Sequence, residues 1–300
     1  MSLFRIHIRP GGGTRDLRKT FNYCLRERVL GVGWRTGNAK STKAWDEYVR
    51  QAREHHPDLS QCKYIYDKVR LGDLVWTRDL DANYYLARVT SGWEYYETDF
   101  SSENDIDIAN VFRCESMLKL ALEDVPGSVI NAFRARRSMQ KIAAYGVEDY
   151  SKYLWNKFSH QNTYTIDSVW DIFALLDPEQ MEDLVSFYLQ SQGWYVAPSS
   201  RKVDTMRFEF MLVKSGSSKR AFVQVKTGNT SLRPMDYSDV EGHVFLSQAN
   251  ETYEGKSPIN VTCISRSELQ DFLEKSRAWL PRIFATKLDQ VRVSPRRVEF

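Results

Sequence analysis

Glu209, Gln224 and Lys226 are the residues whose types and spacing best suit a reaction. They lie in Arg207-Phe208-Glu209-Phe210-Met211-Leu212-Val213 and Arg220-Ala221-Phe222-Val223-Gln224-Val225-Lys226, joined by the turn Lys214-Ser215-Gly216-Ser217-Ser218-Lys219. Side chains alternate along a strand, so Gln224 and Lys226 share one face while Ala221, Val223 and Val225 take the other. Phe208, Phe210 and Leu212 are expected on one face of the first strand, which leaves Glu209 on the opposite one. With both apolar sets inward, the three polar side chains converge. Phosphodiester hydrolysis needs a hard divalent cation on oxygen ligands, a nucleophilic water, and positive charge near the phosphate. Glu209 and Gln224 would bind the metal through carboxylate and amide oxygens. Lys226 would orient or help deprotonate the water and stabilise charge.

The elements that must hold this hairpin are legible on either side of it. From Asp177 onward the expected order is helix, four strands, helix. Asp177 can cap, Pro178 suits the first helical position, and Met181, Leu184, Val185, Tyr188 and Leu189 recur at helical steps. Gly193 ends that helix and Trp194-Tyr195-Val196 begins the sheet. Residues up to about Cys114 read as mostly β, with strands expected at Phe4 to Ile8, Arg28 to Trp34, Leu74 to Thr77 and Tyr84 to Thr90. A hairpin turns at Asp79 to Asn83, and Ser41 is expected to cap a helix carrying Trp45, Val49 and Ala52. From Glu115 to about Ser168 helices are expected, including Met117 to Leu122 and Ser128 to Ala144, broken at Pro126-Gly127. The expected organisation is an α+β chain of two domains. Residues 1–114 form a small domain around a curved sheet or barrel, 115–170 a helical connector, and 171–300 a mixed sheet flanked by helices.

Composition bounds the function. The chain has 300 residues, 42% hydrophobic and 27% charged, enough for two hydrophobic cores, and has no apolar run near the roughly 18 residues of a bilayer span. The first ten residues place charges where a secretory leader would be apolar, so a cytoplasmic chain without a membrane segment is expected. Cys24, Cys62, Cys114 and Cys263 lie far apart and read as reduced thiols. His7, His55, His56, His160 and His243 have no zinc-binding spacing, and Gly11-Gly12-Gly13-Thr14 lacks the lysine of an ATP-binding loop. The net charge is +3, but residues 1–53 hold twelve Lys or Arg against Asp16, Glu27, Asp46 and Glu47. An acidic run follows at Glu94, Glu97, Asp99, Glu103, Asp105 and Asp107. The functional reading is a basic face for a phosphate backbone with the acidic loop held away from it, and the other reading is solvated surface. Arg35, Arg134 and Arg137 are the candidates for backbone contact.

An acid followed across a hairpin by Gln-x-Lys resembles the PD-(D/E)xK superfamily. Glu182 on the capped helix, Gly193-Trp194-Tyr195-Val196, Glu209 and Gln224-Val225-Lys226 are most similar to its Mrr-like restriction endonuclease branch. The resemblance implies Mg²⁺ or Mn²⁺ as cofactor, with Glu209, Gln224 and Asp204 as metal ligands, and Glu182 and Lys226 completing the catalytic set. This chain has Glu209 where the family usually has Asp, and Asp204 five residues earlier rather than about four. Leu30-Gly31-Val32-Gly33-Trp34-Arg35, Leu71-Gly72-Asp73-Leu74-Val75-Trp76 and Tyr84-Tyr85-Leu86-Ala87-Arg88-Val89 resemble EVE and other PUA-like domains. That resemblance implies a small barrel whose aromatic pocket takes a flipped, often modified base. Trp34, Trp76 and Tyr84 would be the walls, and Asp79 or Asn83 would hydrogen-bond the base edge.

Together these imply a modification-dependent DNA endonuclease in phage defence, with a homodimer left open as the means of cutting both strands. The alternatives are a catalytically silent nucleic-acid or nucleotide-sensing module, and a nuclease switched on by a small signalling nucleotide.

Overall fold

Strands of mixed direction with helices packed around them build two units, Met1–Ser168 and Val169–Phe300. The computed structural model describes residues 1–9, 16–36, 41–42, 44–166, 171–201, 207–228 and 230–293. It is an α+β fold with two mixed sheets. Among the described residues no helix is long and apolar enough to cross a membrane.

In the N-terminal unit the order is β1 (Leu3–Ile6), α1 (Leu17–Glu27), β2 (Val29–Val32), β3 (Ser41–Thr42), α2 (Trp45–Ala52), α3 (Ser60–Lys68), β4 (Leu74–Arg78) and β5 (Tyr84–Val89). There follow β6 (Glu94–Tyr96), α4 (Asp99–Glu103), β7 (Asn110–Leu120), α5 (Gly127–Ala132), β8 (Met139–Lys141) and α6 (Val147–Ser159). The strands run β3-β6-β7-β5-β4-β1-β8, with β2 also on β7. β1 lies parallel to β4, and the other pairings are antiparallel. β7 is the longest strand and serves both ends of the sheet: its first residues pair with β2 and β6, its last with β5 across a register shift at Ala87/Val89. At Gly31 the backbones approach so closely that a Cβ would lie 2.2 Å from the Asn110 carbonyl oxygen, which only glycine permits.

The hairpin at Asp79 to Asn83 is observed as β4–β5. Three other expectations are corrected. Ser41 lies in β3, and the next helix starts at Trp45 with no side-chain cap. Met117 to Leu120, expected as helix, is the second half of β7, because pairing with β5 takes up its backbone hydrogen bonds. The expected helix from Ser128 to Ala144 stops at Ala132, and Met139–Lys141 instead adds a strand beside β1. Residues 115–168 thus belong to the N-terminal unit and complete its sheet.

The C-terminal unit comprises α7 (Ile172–Leu175), α8 (Pro178–Ser191), β9 (Trp194–Val196), β10 (Phe210–Lys214), β11 (Arg220–Lys226), β12 (His243–Gln248), β13 (Val261–Ile264), α9 (Arg266–Ser276) and α10 (Arg282–Val293). The sheet order is β13-β12-β11-β10-β9, antiparallel from β9 to β11 and parallel from β11 to β13. One strand more than expected is present, since the two parallel strands after β11 add to the three antiparallel ones. Asp177 caps α8 in a capping box with Gln180, with Pro178 in the first turn. One face of the sheet, carrying Phe210, Leu212, Ala221, Val223 and Val225, is buried with Met181, Leu184 and Leu189 of α8, Phe272 of α9 and Phe284 of α10. The other face carries a smaller cluster, Val244 and Leu246 with Leu232 and Tyr237 from the β11–β12 connection. Burying one face under helices decides the register of β10 and β11, because a slip by one residue would exchange their polar and apolar sides.

Candidate active site

The sequence alternation of β11 is realised: Ala221, Val223 and Val225 enter the helix-covered core, so Gln224 and Lys226 lie on the opposite face. Phe210 pairs with Val223, and the Glu209 N–H donates to the Val223 carbonyl at 2.8 Å, which fixes Glu209 beside Gln224. Phe208 departs from expectation. The chain bends before β10, and its ring turns to the smaller cluster, 4.8 Å from Phe222 and 5.9 Å from Tyr237. Glu209 keeps the face predicted for it despite that bend.

The three polar groups meet at one atom. Gln224 Nε2 donates to Glu209 Oε1 at 2.7 Å, and Lys226 Nζ donates to the same oxygen at 3.2 Å. Gln224 is buried, whereas the Lys226 side chain is 41% exposed and that of Glu209 26%. A buried amide thus orients a carboxylate that opens to solvent beside an ammonium. Lysine has three donors, and one of Lys226's points at Glu209.

Parallel pairing places Lys226 opposite Gln248 of β12. Gln248 is buried, and its amide donates to the carbonyls of Gly228 at 2.8 Å and Thr230 at 3.1 Å, while Ala249 N–H donates to the Lys226 carbonyl at 2.9 Å. These bonds hold the chain where it leaves the strand and so fix the direction of Lys226. Tyr237 and Arg207 border the site. The Arg207 guanidinium sits 4.8 Å from the Tyr237 ring centroid and donates to Asp239 at 3.1 and 3.3 Å. Burial pushes the Tyr237 hydroxyl above its usual range. None of Arg207, Gln248 and Tyr237 has a local signal: Arg207 lies in the bend before β10, where alternation fails, and Gln248 and Tyr237 depend on the parallel crossover.

No protein-family model matches this chain. No curated protein matches it either.

A hard cation at this face would draw on one carboxylate, that of Glu209, whose Oε1 accepts from both Gln224 and Lys226. The Gln224 amide nitrogen lies 2.7 Å from Glu209 Oε1 and 3.4 Å from the Val225 carbonyl oxygen, so oxygen acceptors surround it, and a half-turn of the amide would add its own oxygen. Among the described residues no group of three or more His, Cys, Asp or Glu could hold a metal. A site of one carboxylate with amide and carbonyl oxygens is one that Mg²⁺ completes with water. Asp204 lies outside the described residues. Glu182 is half-buried on α8, the helix whose buried residues face the other side of the sheet.

In the N-terminal unit the expected base-pocket residues do not form one wall. Trp76 is wholly buried and its indole N–H donates to Ser151 Oγ at 3.1 Å, so it is a core residue. Tyr84 is buried edge-on to Phe133, with centroids 5.6 Å apart. Trp34 packs on the aromatic core with its backbone in the left-handed region, φ 66°, and its carbonyl accepts from Tyr48 Oη at 3.2 Å. Asp79 and Asn83 hold the β4–β5 turn: Asp79 Oδ1 accepts from the Asp81 and Asn83 N–H groups, and Oδ2 from Asn83 Nδ2 and Tyr85 Oη. Burial works against the charge on Asp79, but these hydrogen bonds outweigh it and hold the carboxyl below its usual range.

Arg35 is not open to a phosphate backbone. It pairs with Asp105 at 2.7 Å, Glu97 at 3.7 Å and Asp107 at 3.8 Å, so the acidic run folds onto it instead of being held away. Arg134 and Arg137 are exposed on the loop between α5 and β8. The buried Arg5 guanidinium pins that loop by donating to the carbonyls of Arg137 and Ala135 and to Gln140 Oε1.

Proposed function

We infer that the C-terminal unit is a divalent-metal-dependent DNA nuclease of PD-(D/E)xK type, Mrr-like in its motif order. The observation that carries this reading is the meeting of Gln224 and Lys226 on Glu209 at the open end of a hairpin. A Mg²⁺ or Mn²⁺ ion held by Glu209, Gln224 and the Val225 carbonyl would supply Lewis-acid polarisation of the phosphate and a more acidic bound water. Lys226 would turn its remaining donors to a phosphoryl oxygen and to the attacking water, offsetting negative charge that grows in the transition state. The buried Gln224 holds the rotamer of Glu209 through its amide nitrogen, and a half-turn of that amide would exchange this hydrogen bond for metal ligation. Glu209 in place of the shorter aspartate reaches one methylene further from the strand, and the bend at Phe208 is where the backbone can accommodate that length.

The N-terminal unit acts in this reading as the DNA-recognising part, EVE or PUA-like in its motifs, and the exposed arginines of the α5–β8 loop take the phosphate backbone. The chain is then a modification-dependent restriction endonuclease directed against phage DNA. The experiment is a cleavage screen with Mg²⁺ over plain, methylated, hydroxymethylated and glucosylated duplexes. Cleavage of one modified class is expected, and uniform resistance of every class with binding intact would refute nuclease activity.

A further inference from the structure

A cavity of about 210 Å³ opens in the N-terminal unit between the end of β1, the first turns of α1 and the β4–β5 turn. Its lining divides by chemistry. Ile8, Leu17 and Phe21 form an apolar part, while Arg9 and Arg78 bring guanidinium groups, with Asp79 the acid among them. Phe21 is held by Tyr85, centroids 5.2 Å apart, and the bidentate Arg18–Asp81 pair at 2.5 and 2.7 Å ties α1 to the turn.

The charges around this cavity are mostly positive, with Arg5, Arg9 and Arg78 against the single lining carboxylate of Asp79. Arg5 is buried with Arg9, Arg137 and Arg78 near enough to repel it; burial first, then those three charges, lower it to about 10. His7, also in the lining, is pushed down to about 4 by burial and then by Arg9 and Arg5, so it is neutral at pH 7 and adds no charge. Both oxygens of Asp79 are occupied by the turn it holds. Arg78 lies 5.1 Å from the Phe133 ring centroid and donates to Tyr84 Oη at 3.4 Å, which places its planar fork without neutralising it. Asp79 keeps its charge but gives its hydrogen bonds to the turn, so the guanidinium groups outnumber the carboxylates and an anion at the mouth lowers their mutual repulsion. Arginine forks match the oxygens of a phosphate in pairs.

The geometry points to this cavity as a binding site for one nucleotide, its phosphate on Arg9 and Arg78 and its ring or sugar against Ile8, Leu17 and Phe21. The volume is below the roughly 300 Å³ at which drug-sized pockets begin, so a single nucleotide unit fits better than a dinucleotide. The phosphate belongs either to a free mononucleotide or to a nucleotide swung out of a nucleic acid. The site is a property of the N-terminal unit and stands whether or not the C-terminal unit cuts, because its readout is binding.

The test uses the full chain at low salt with dCMP, dAMP, the nucleoside deoxycytidine and a short DNA duplex, followed by calorimetry. Saturable binding of dCMP or dAMP assigns the site to a free nucleotide; binding of the duplex alone assigns it to nucleic acid; both support the site. Arg9→Gln, on an exposed side chain, and Arg78→Gln should each weaken binding about tenfold or more, the scale of one charge-assisted contact. Arg53→Gln, an exposed arginine of the same unit, should leave it unchanged. Circular dichroism identifies a misfolded Arg78→Gln, in which case Arg9→Gln decides. Failure of every phosphate-bearing probe to saturate, equal binding of deoxycytidine and dCMP, or an Arg53→Gln loss as large as that of Arg9→Gln would overturn the assignment.

Discussion

The two units treat their charged residues in opposite ways. On the C-terminal hairpin, opposite charges are brought together at the rim: Lys226 and Glu209 pair at 3.2 Å with both side chains partly in solvent. In the N-terminal unit, Arg35 is sunk among three carboxylates, while Arg9 and Arg78 gather on a cavity whose acid is already committed to a turn. The same unit stacks its aromatic rings on one another from the core to the surface, Trp45 on the exposed Tyr66 at 4.5 Å and against the buried Trp93 at 4.9 Å. A rim pair with one amide behind it suits chemistry on a ligand that arrives with water, whereas unmatched arginines over an apolar floor suit holding one.

Substitutions can break this contrast at several points. The largest effect is expected for Trp76→Ala, about 3–5 kcal/mol of stability for a fully buried ring, read as a shift of the urea midpoint. Were Trp76 a base-stacking wall, the same change would reduce DNA binding and leave the midpoint in place. Next is His7, whose folded-state value near 4 lies below the ordinary 6.5. On acidification the unfolded chain takes up this proton first, so the contribution of neutral His7 is complete above pH 6.5 and is lost progressively towards pH 4. Wild type should lose about 2 kcal/mol more than His7→Gln between about pH 7.5 and about pH 5, by denaturant unfolding at both. Gln224→Leu removes the donor that orients Glu209, and cleavage should fall about tenfold with little loss of fold. The smallest change in DNA affinity is expected for Arg35→Ala, because its charge already faces Asp105, Glu97 and Asp107, and affinity for duplex DNA should hold. A clear drop in affinity with Arg35→Ala would return that residue to the DNA-binding face.

The hairpin was legible because it rests on local rules. Alternation by two set Gln224 and Lys226 against Val223 and Val225, and the Asp177-Pro178 start of α8 is written in four consecutive residues through Gln180. Elsewhere partners distant in sequence decided the outcome. Met117-Leu118-Lys119-Leu120 has apolar spacing that a helix or a strand could use, and β5 selected the strand. β8 exists because β1 offers it an edge. Trp76 carries no local mark of burial; α6, which brings Ser151 to its indole, lies 75 residues on. Arg35 finds Asp105 across 70 residues of sequence, so charge counting over the first 53 residues could not reveal its neutralisation.

Nicking of supercoiled plasmid carrying the modified base, with Mg²⁺ and then with EDTA, in wild type, Glu209→Ala and Lys226→Ala, is the most direct test of the hairpin as a nuclease centre. Metal-dependent nicking by wild type is expected, abolished by EDTA and reduced about 100-fold or more in each variant, both remaining folded and DNA-bound. Nicking that persists in both folded variants would contradict it.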